Sequence, residues 1–174
     1  IKEKFPGAVT VFIGPCIAKK AESMSGEKDT ADYALTYGEI RAMLRAKGVK
    51  LEPEEDTDDQ GSIYGKKFAN AGGVTAAGLE SMKELGCTGD VSVCKCSGIT
   101  ECKKALTLMK VGRLPEDFIE GMACEGGCVG GPSAFNDQIS SKKNRDTLIS
   151  QADDRGIHEN IEHYEMNTIS MHRE

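Results

Sequence analysis

The chain has 174 residues, of which 39% are hydrophobic and 5% aromatic, with seven cysteines, 20 glycines, no tryptophan and a formal net charge of −6. That size supports one domain with a real core, and the composition excludes a disordered or fibrous chain. No apolar run approaches the roughly 18–20 residues of a membrane span, and the lack of a basic surplus and the small number of aromatics disfavour nucleic-acid binding.

The chain opens at Ile1 with neither a Met nor a charged and apolar leader, so we expect a piece cut from a longer polypeptide, without a targeting segment and placed in the cytoplasm. Residues 8–13 are apolar on both faces, which predicts a strand buried between helices of a parallel sheet, ending at Gly14-Pro15-Cys16. Ligands of open α/β sheets collect beyond such strand ends. Tyr33 to Leu35 reads as a strand, and Thr36 with Glu39 as a capping box opening a helix to about Lys47, closed by Gly48. The acids at 52, 54, 55, 56, 58 and 59 read as a solvated loop; without them the formal charge is zero, and the calcium-loop pattern is absent. Val74 to Leu85 is expected to be a helix, Val91 to Cys94 a strand, Thr100 to Lys110 a helix and Asp117 to Ala123 a strand running into Cys124. The alternation predicts an α/β fold, a mostly parallel sheet flanked by helices, over residues 1–135. Residues 136–174 read as a polar helical C-terminal extension, with helices over 140–155 and 157–165, wrapping the outside or packing on further sequence.

An odd number of cysteines favours metal or redox chemistry over a disulfide framework. Cys124-Glu-Gly-Gly-Cys128-Val-Gly-Gly-Pro places two thiols on a loop whose glycines let backbone amides approach an anionic cluster; the plainer alternative is two small buried residues at a turn. Pro15-Cys16-Ile-Ala-Lys19-Lys20-Ala-Glu22 sets Cys16, Lys19 and Glu22 at three-residue spacing, with Cys16 opening a helix whose dipole suits a thiolate ligand; a surface Lys–Glu pair is the alternative. Cys94 and Cys96, with Cys102 beyond and Cys87 before, form a third group, a candidate secondary metal or redox site. There the expectation is that a regular strand holds Cys94 and Cys96 apart on opposite faces, so that they share an ion only where the strand has ended before Ser97-Gly98.

Together, G-P-C-I-A-K-K-A-E at 14–22 and M-A-C-E-G-G-C-V-G-G-P at 122–132 resemble two signature segments of the iron-only (FeFe) hydrogenase catalytic domain, in the same order and at similar separation. D-Y-A-L-T at 32–36 and F-A-N-A-G-G-V at 68–74 extend the likeness over nearly the whole chain. The resemblance implies one lobe of that catalytic domain and a 4Fe-4S cluster linked to a two-iron unit with carbon monoxide, cyanide and dithiolate ligands. It implies Cys16, Cys124 and Cys128 as metal ligands, Cys128 bridging the two units, Lys19 anchoring a cyanide, Met122 as a soft contact to the two-iron unit, and Glu22 holding Lys19. The activity implied is reversible heterolytic hydrogen cleavage, or hydrogen sensing, in the full-length protein.

The family's T-S-C-C-P-type segment, with the fourth cluster Cys and a proton-relay Cys, does not precede Cys16. The isolated chain is therefore expected to be inactive and without the cofactor, its partner being the remainder of its own catalytic domain. Ferredoxin-type clusters, an electron carrier or a signalling domain complete the expected partners. Gly14 in place of the family's Met, and G-G-P in place of G-G-G-x-P, resemble the hydrogen-sensing branch. Two readings compete: a non-enzymatic hydrogenase-like iron-sulfur protein of cluster assembly or electron transfer, and a zinc module built on Cys94, Cys96 and Cys102, which lacks paired C-x-x-C spacing.

Overall fold

The computed structural model describes residues 1–27, 30–50, 52 and 61–169, so the acidic run beyond Glu52 lies outside the described residues. Two strand-helix-strand units carry the architecture. In the first, β1 (Val11–Ile13) pairs in parallel with β2 (Tyr33–Leu35), with Val11 opposite Tyr33 and Ile13 opposite Leu35, and α1 (Ala18–Met24) lies in the crossover. Asp32 pins the entry to this pair: its carboxylate accepts from Thr10 N at 2.7 Å, Thr10 Oγ1 at 2.8 Å and Lys2 Nζ at 2.6 Å. The second unit is β3 (Val93–Ser97), α5 (Ile99–Lys110) and β4 (Phe118–Met122), again parallel, with Val93 opposite Phe118 and Ser97 opposite Met122.

The α/β class and the parallel pairing expected from the sequence are present, but as two separate two-stranded sheets rather than one. The burial expected of the first strand is overturned. Val9, Val11 and Ile13 are 68%, 45% and 47% exposed, because among the described residues no second layer covers both faces of so short a pair.

Local chemistry sets the helix ends. At α2 (Tyr37–Ala46), Thr36 Oγ1 accepts from Glu39 N at 3.3 Å and Glu39 accepts from Thr36 N at 2.8 Å, the reciprocal capping box. Gly48 follows at φ 68°, the left-handed geometry that stops a helix. The sequence reading omits α3 (Ile63–Lys67), capped by Ser62, because five residues with a central glycine carry no amphipathic period. Helix α4 (Gly73–Glu84) starts after Gly72 at φ 89°. Glycine is needed next, since a Cβ on Gly73 would lie 2.0 Å from Lys67 O.

The C-terminal extension forms α6 (Gln138–Ser150) and α7 (Ile157–His163), with Asp137 capping α6 by accepting from Ile139 N and Ser140 N. Helix α6 packs on α3 and on the turn at Cys128, and α7 packs on α4. Glu84 caps α7 by accepting from Ile157 N at 2.7 Å and His158 N at 2.9 Å. Among the described apolar residues only Cys96 and Ala105 are buried, each 3% exposed.

Candidate metal centre

Strand β1 ends as expected at Gly14-Pro15-Cys16, and strand β4 delivers Met122, Cys124 and the glycine loop. Two sets of backbone hydrogen bonds lock that loop in place. Cys128 N donates to Ala69 O at 2.7 Å and Ala71 N to Gly126 O at 3.4 Å, tying it to the segment before α4, while Ser133 N donates to Pro15 O at 3.1 Å. Glycine is obligatory here for space: a Cβ on Gly127, at φ 93°, would sit 2.4 Å from Ala69 O, and one on Gly131 would sit 2.8 Å from Pro15 O. Gly126, at φ 77°, donates its N–H to Ser97 Oγ at 2.9 Å.

This packing brings Cys16, Cys124 and Cys128 into one electrostatic neighbourhood. Burial pushes the Cys128 thiol up, Cys16 and Cys124 push it further, and Lys19 acts in the opposite direction. No three Cys, His, Asp or Glu side chains among the described residues converge on a single-ion position; a cubane takes one thiolate per iron, so its ligands stand apart.

Lys19 and Glu22 form an ion pair on α1, the spacing the sequence anticipates. Cys16 differs from expectation in lying before the helix, whose cap residue is Ile17. The thiol is therefore carried by the turn after β1 and not by the helix face. Met122 is half-buried at the end of β4, its carbonyl accepting from Gly98 N at 2.8 Å.

Several residues that shape the centre are missed by the sequence reading. Glu120, 4% exposed on β4, accepts from Gly72 N at 2.9 Å, Val74 N at 3.3 Å, Thr75 N at 3.2 Å and, over a shorter contact, Thr75 Oγ1. A buried carboxylate thus caps α4 from a neighbouring strand and fixes the segment on which the Cys128 loop rests. A lone Glu inside an apolar strand was the available signal. Arg145 of α6 donates to Asn70 Oδ1 at 3.3 Å, and Asn70 bridges to Gly127. A cavity of ≈ 580 Å³ opens between Cys128, Phe135 and Leu148.

Cys94 and Cys96 both lie inside β3, with their sulfurs 3.7 Å apart. The expected separation of these two thiols is overturned: strand side chains repeat every two residues, so positions 94 and 96 share a face, and the strand runs on to Ser97. Cys87 is exposed after α4.

The sequence profile described as "Iron only hydrogenase large subunit, C-terminal domain" matches residues 1–132. The chain is 32% identical over 161 residues to the periplasmic Fe hydrogenase large subunit of Nitratidesulfovibrio vulgaris, covering 70% of this chain and 38% of the relative. It is 29% identical over 197 residues to iron hydrogenase 1 of Clostridium pasteurianum, covering 87% and 34%. Among solved structures, an FeFe-hydrogenase studied for stepwise H-cluster assembly superposes with a TM-score of 0.63 at 20% identity, covering 96% of this chain and 61% of that one. An FeFe-hydrogenase variant from Chlamydomonas reinhardtii superposes at 0.58 and 19%, with the same coverage. These structures establish the shared fold, and the chain spans little more than a third of the length of the curated relatives it matches. With the match over residues 1–132, the chain belongs to the iron only hydrogenase large subunit, C-terminal domain family.

Proposed function

We propose that this chain forms one side of the cluster site of an iron-only hydrogenase, with Cys16, Cys124 and Cys128 ligating a 4Fe-4S unit and Cys128 bridging it to a two-iron unit. The observation that supports this reading is the tie between two strand ends: Cys16 follows β1 and Cys124 and Cys128 follow β4, and Ser133 N donates to Pro15 O at 3.1 Å beside a loop where glycine is required for fit. The donor set suits the group, because free thiols, backbone amides and a nearby ammonium are what an anionic iron-sulfur cluster needs. When bound, the cluster supplies heterolytic hydrogen cleavage and electron relay.

The chain's own residues bind and orient. Lys19 offers a compact charge with three donors to a cyanide nitrogen, and Glu22 holds that ammonium in place. Met122 adds a soft thioether at the strand end. At Gly14, where the family carries Met, a Cβ would meet the Phe12 ring at 2.9 Å, so Phe12 fills that volume; this substitution supports a hydrogen-sensing role. The fourth cluster thiol comes from the remainder of the catalytic domain, and ferredoxin-type clusters, an electron carrier or a signalling domain complete the full-length protein. The chain alone is then inactive. A cytoplasmic setting belongs to the same proposal, although one relative is periplasmic; no described helix is long and apolar enough to cross a membrane.

Cluster iron and infrared spectra of the matured full-length protein test the assignment. Carbonyl and cyanide bands in the wild type, lost with most of the cluster iron in Cys128→Ser, are the expected outcome, and unchanged bands in that variant overturn it. The second reading is a non-enzymatic iron-sulfur protein of cluster assembly or electron transfer, which has no use for Lys19 and Met122 beside the cluster. Cubane iron without carbonyl and cyanide bands after full maturation would establish that reading instead.

A further inference from the structure

Helix α6 lies beyond residue 132, where the family match ends, yet it reaches the loop that carries Cys128. Ser141, Arg145 and Leu148 share one face of that helix by their spacing, and all three line the cavity of ≈ 580 Å³ that also touches Cys128. On that side the Cys128 turn meets open space, where dispersion contacts cannot hold it, so directional bonds must. Those bonds run on either side of Asn70. Cys128 N donates to Ala69 O at 2.7 Å and Ala71 N to Gly126 O at 3.4 Å, the two bonds that flank the antiparallel bridge between Asn70 and Gly127. Asn70 also stands where two turns meet: its N–H donates to Lys67 O at 2.9 Å and its carbonyl accepts from Gly73 N at 3.0 Å.

We infer that Arg145 is a positioning residue of the cluster site, acting through Asn70 to hold Cys128 where it meets the metal; the inference rests on the assignment of Cys128 as a ligand. Arg145 Nη1 donates to Asn70 Oδ1 at 3.3 Å, and the arginine side chain is only 21% exposed. Its direction is set by its neighbour: Nε at 3.1 Å and Nη2 at 2.9 Å both donate to Asp146 Oδ1. A guanidinium is a rigid planar fork, so two bonds along one edge fix where the remaining amino group points. Asp146 also offsets the charge, so Arg145 acts by direction and not by bringing a cation to the site. Helix α6 is itself secured on the same face, because Lys66 Nζ donates to Leu148 O at 3.0 Å. It thereby grips the segment 66–70 at both ends. Such a tether narrows the range open to a ligand, as the outer partners of metal ligands do.

The experiment has two readouts on the full-length protein. Hydrogen–deuterium exchange, resolved to single amides and run before maturation so that no cluster is needed, compares the wild type with Arg145→Ala, Asn70→Ala, Asn70→Asp and the double variant Arg145→Ala/Asn70→Ala. We expect the Cys128 and Ala71 amides to exchange roughly tenfold faster in either alanine variant and no faster again in the double. Asn70→Asp, which keeps an acceptor for the guanidinium, is expected to match the wild type. The Gly98 amide, bonded to Met122 O at 2.8 Å away from this tether, keeps its rate throughout, and Lys143→Ala, exposed on α6, changes neither readout. After maturation, iron is expected to leave for a chelator about tenfold faster from both alanine variants than from the wild type or Asn70→Asp. Unchanged exchange at Cys128 and Ala71, acceleration that includes Gly98, additive effects in the double variant, or faster exchange without faster iron loss would each overturn the inference. Iron retained in Cys128→Ser would instead overturn the cluster assignment, and the exchange contrast, read without a cluster, would not move with it.

Discussion

Glu120 shows how much one side chain can organise. Its carboxylate satisfies three backbone N–H groups at the start of α4 and the Thr75 hydroxyl, from a position 4% exposed to water. Removing it leaves buried donors unpaired, so Glu120→Ala is expected to cost about 3 kcal/mol and Glu120→Gln about half that, read by urea unfolding. An unchanged midpoint for Glu120→Ala would show that water replaces the carboxylate. Gly127 is constrained by space, since its Cβ would strike backbone at Ala69 and not a flexible side chain. Gly127→Ala is expected to detach the Cys128 loop and strip most of the cluster iron from the full-length protein, whereas Gly78→Ala, with nothing within 4 Å of the added carbon, keeps it. Iron analysis of the pair checks the contrast.

At the scale of the element, α2 is the clearest case of local sequence encoding its own boundaries. Glu39 sits 2.7 Å from the Lys20 ammonium and closes the capping box with Thr36. The Lys20 contact first, and the Thr36 N–H next, pull the Glu39 carboxyl from 4.5 down to about 2. A lowered carboxyl stabilises the fold above its unfolded value and ceases to do so as pH falls through the folded one. The contribution of Glu39 is therefore complete above about pH 4.5 and is lost between there and about 2. Glu39→Gln is expected to lower the melting temperature modestly at neutral pH and to flatten its fall across that window, as melting curves from pH 2 to 7 will show. A fall as steep as the wild type's would place the acid sensitivity elsewhere. Strand β3 teaches the opposite lesson: the expected end at Cys94 is displaced to Ser97, because pairing with β4 extends a strand past the residue where propensity alone stops it.

For the whole molecule, area is the decisive quantity. The chain exposes 12817 Å², about half as much again as the roughly 8,300 Å² expected of a folded monomer of 18.7 kDa. Phe5, Val9, Leu85 and Phe118 are among the large apolar residues left at the surface, and covering such side chains is favourable in proportion to the apolar area removed from water. That supports the remainder of the catalytic domain as the covering partner. The isolated chain is expected to bind an environment-sensitive hydrophobic dye strongly and the full-length protein several-fold less; equal fluorescence per mole would show that these faces stay open in both.

What the sequence determined alone was local, though not all that is local: the short helix α3 and the shared face of Cys94 and Cys96 were missed. The capping box at Thr36 and Glu39, the glycine stop at Gly48, the parallel alternation of strands and helices and the two cysteine motifs are all readable, because each depends on neighbours within a turn or two. Only the tertiary structure decided which distant groups meet. The Glu120 cap on α4 spans 45 to 48 residues and the Arg145–Asn70 bond 75. The split into two sheets, the exposure of β1 and the gathering of Cys102 over Gly121 are likewise invisible to periodicity. The physical reason is that hydrophobic pattern and propensity record which face a residue turns inward, while the identity of what packs on that face is fixed by chain topology and by the space that glycines leave open.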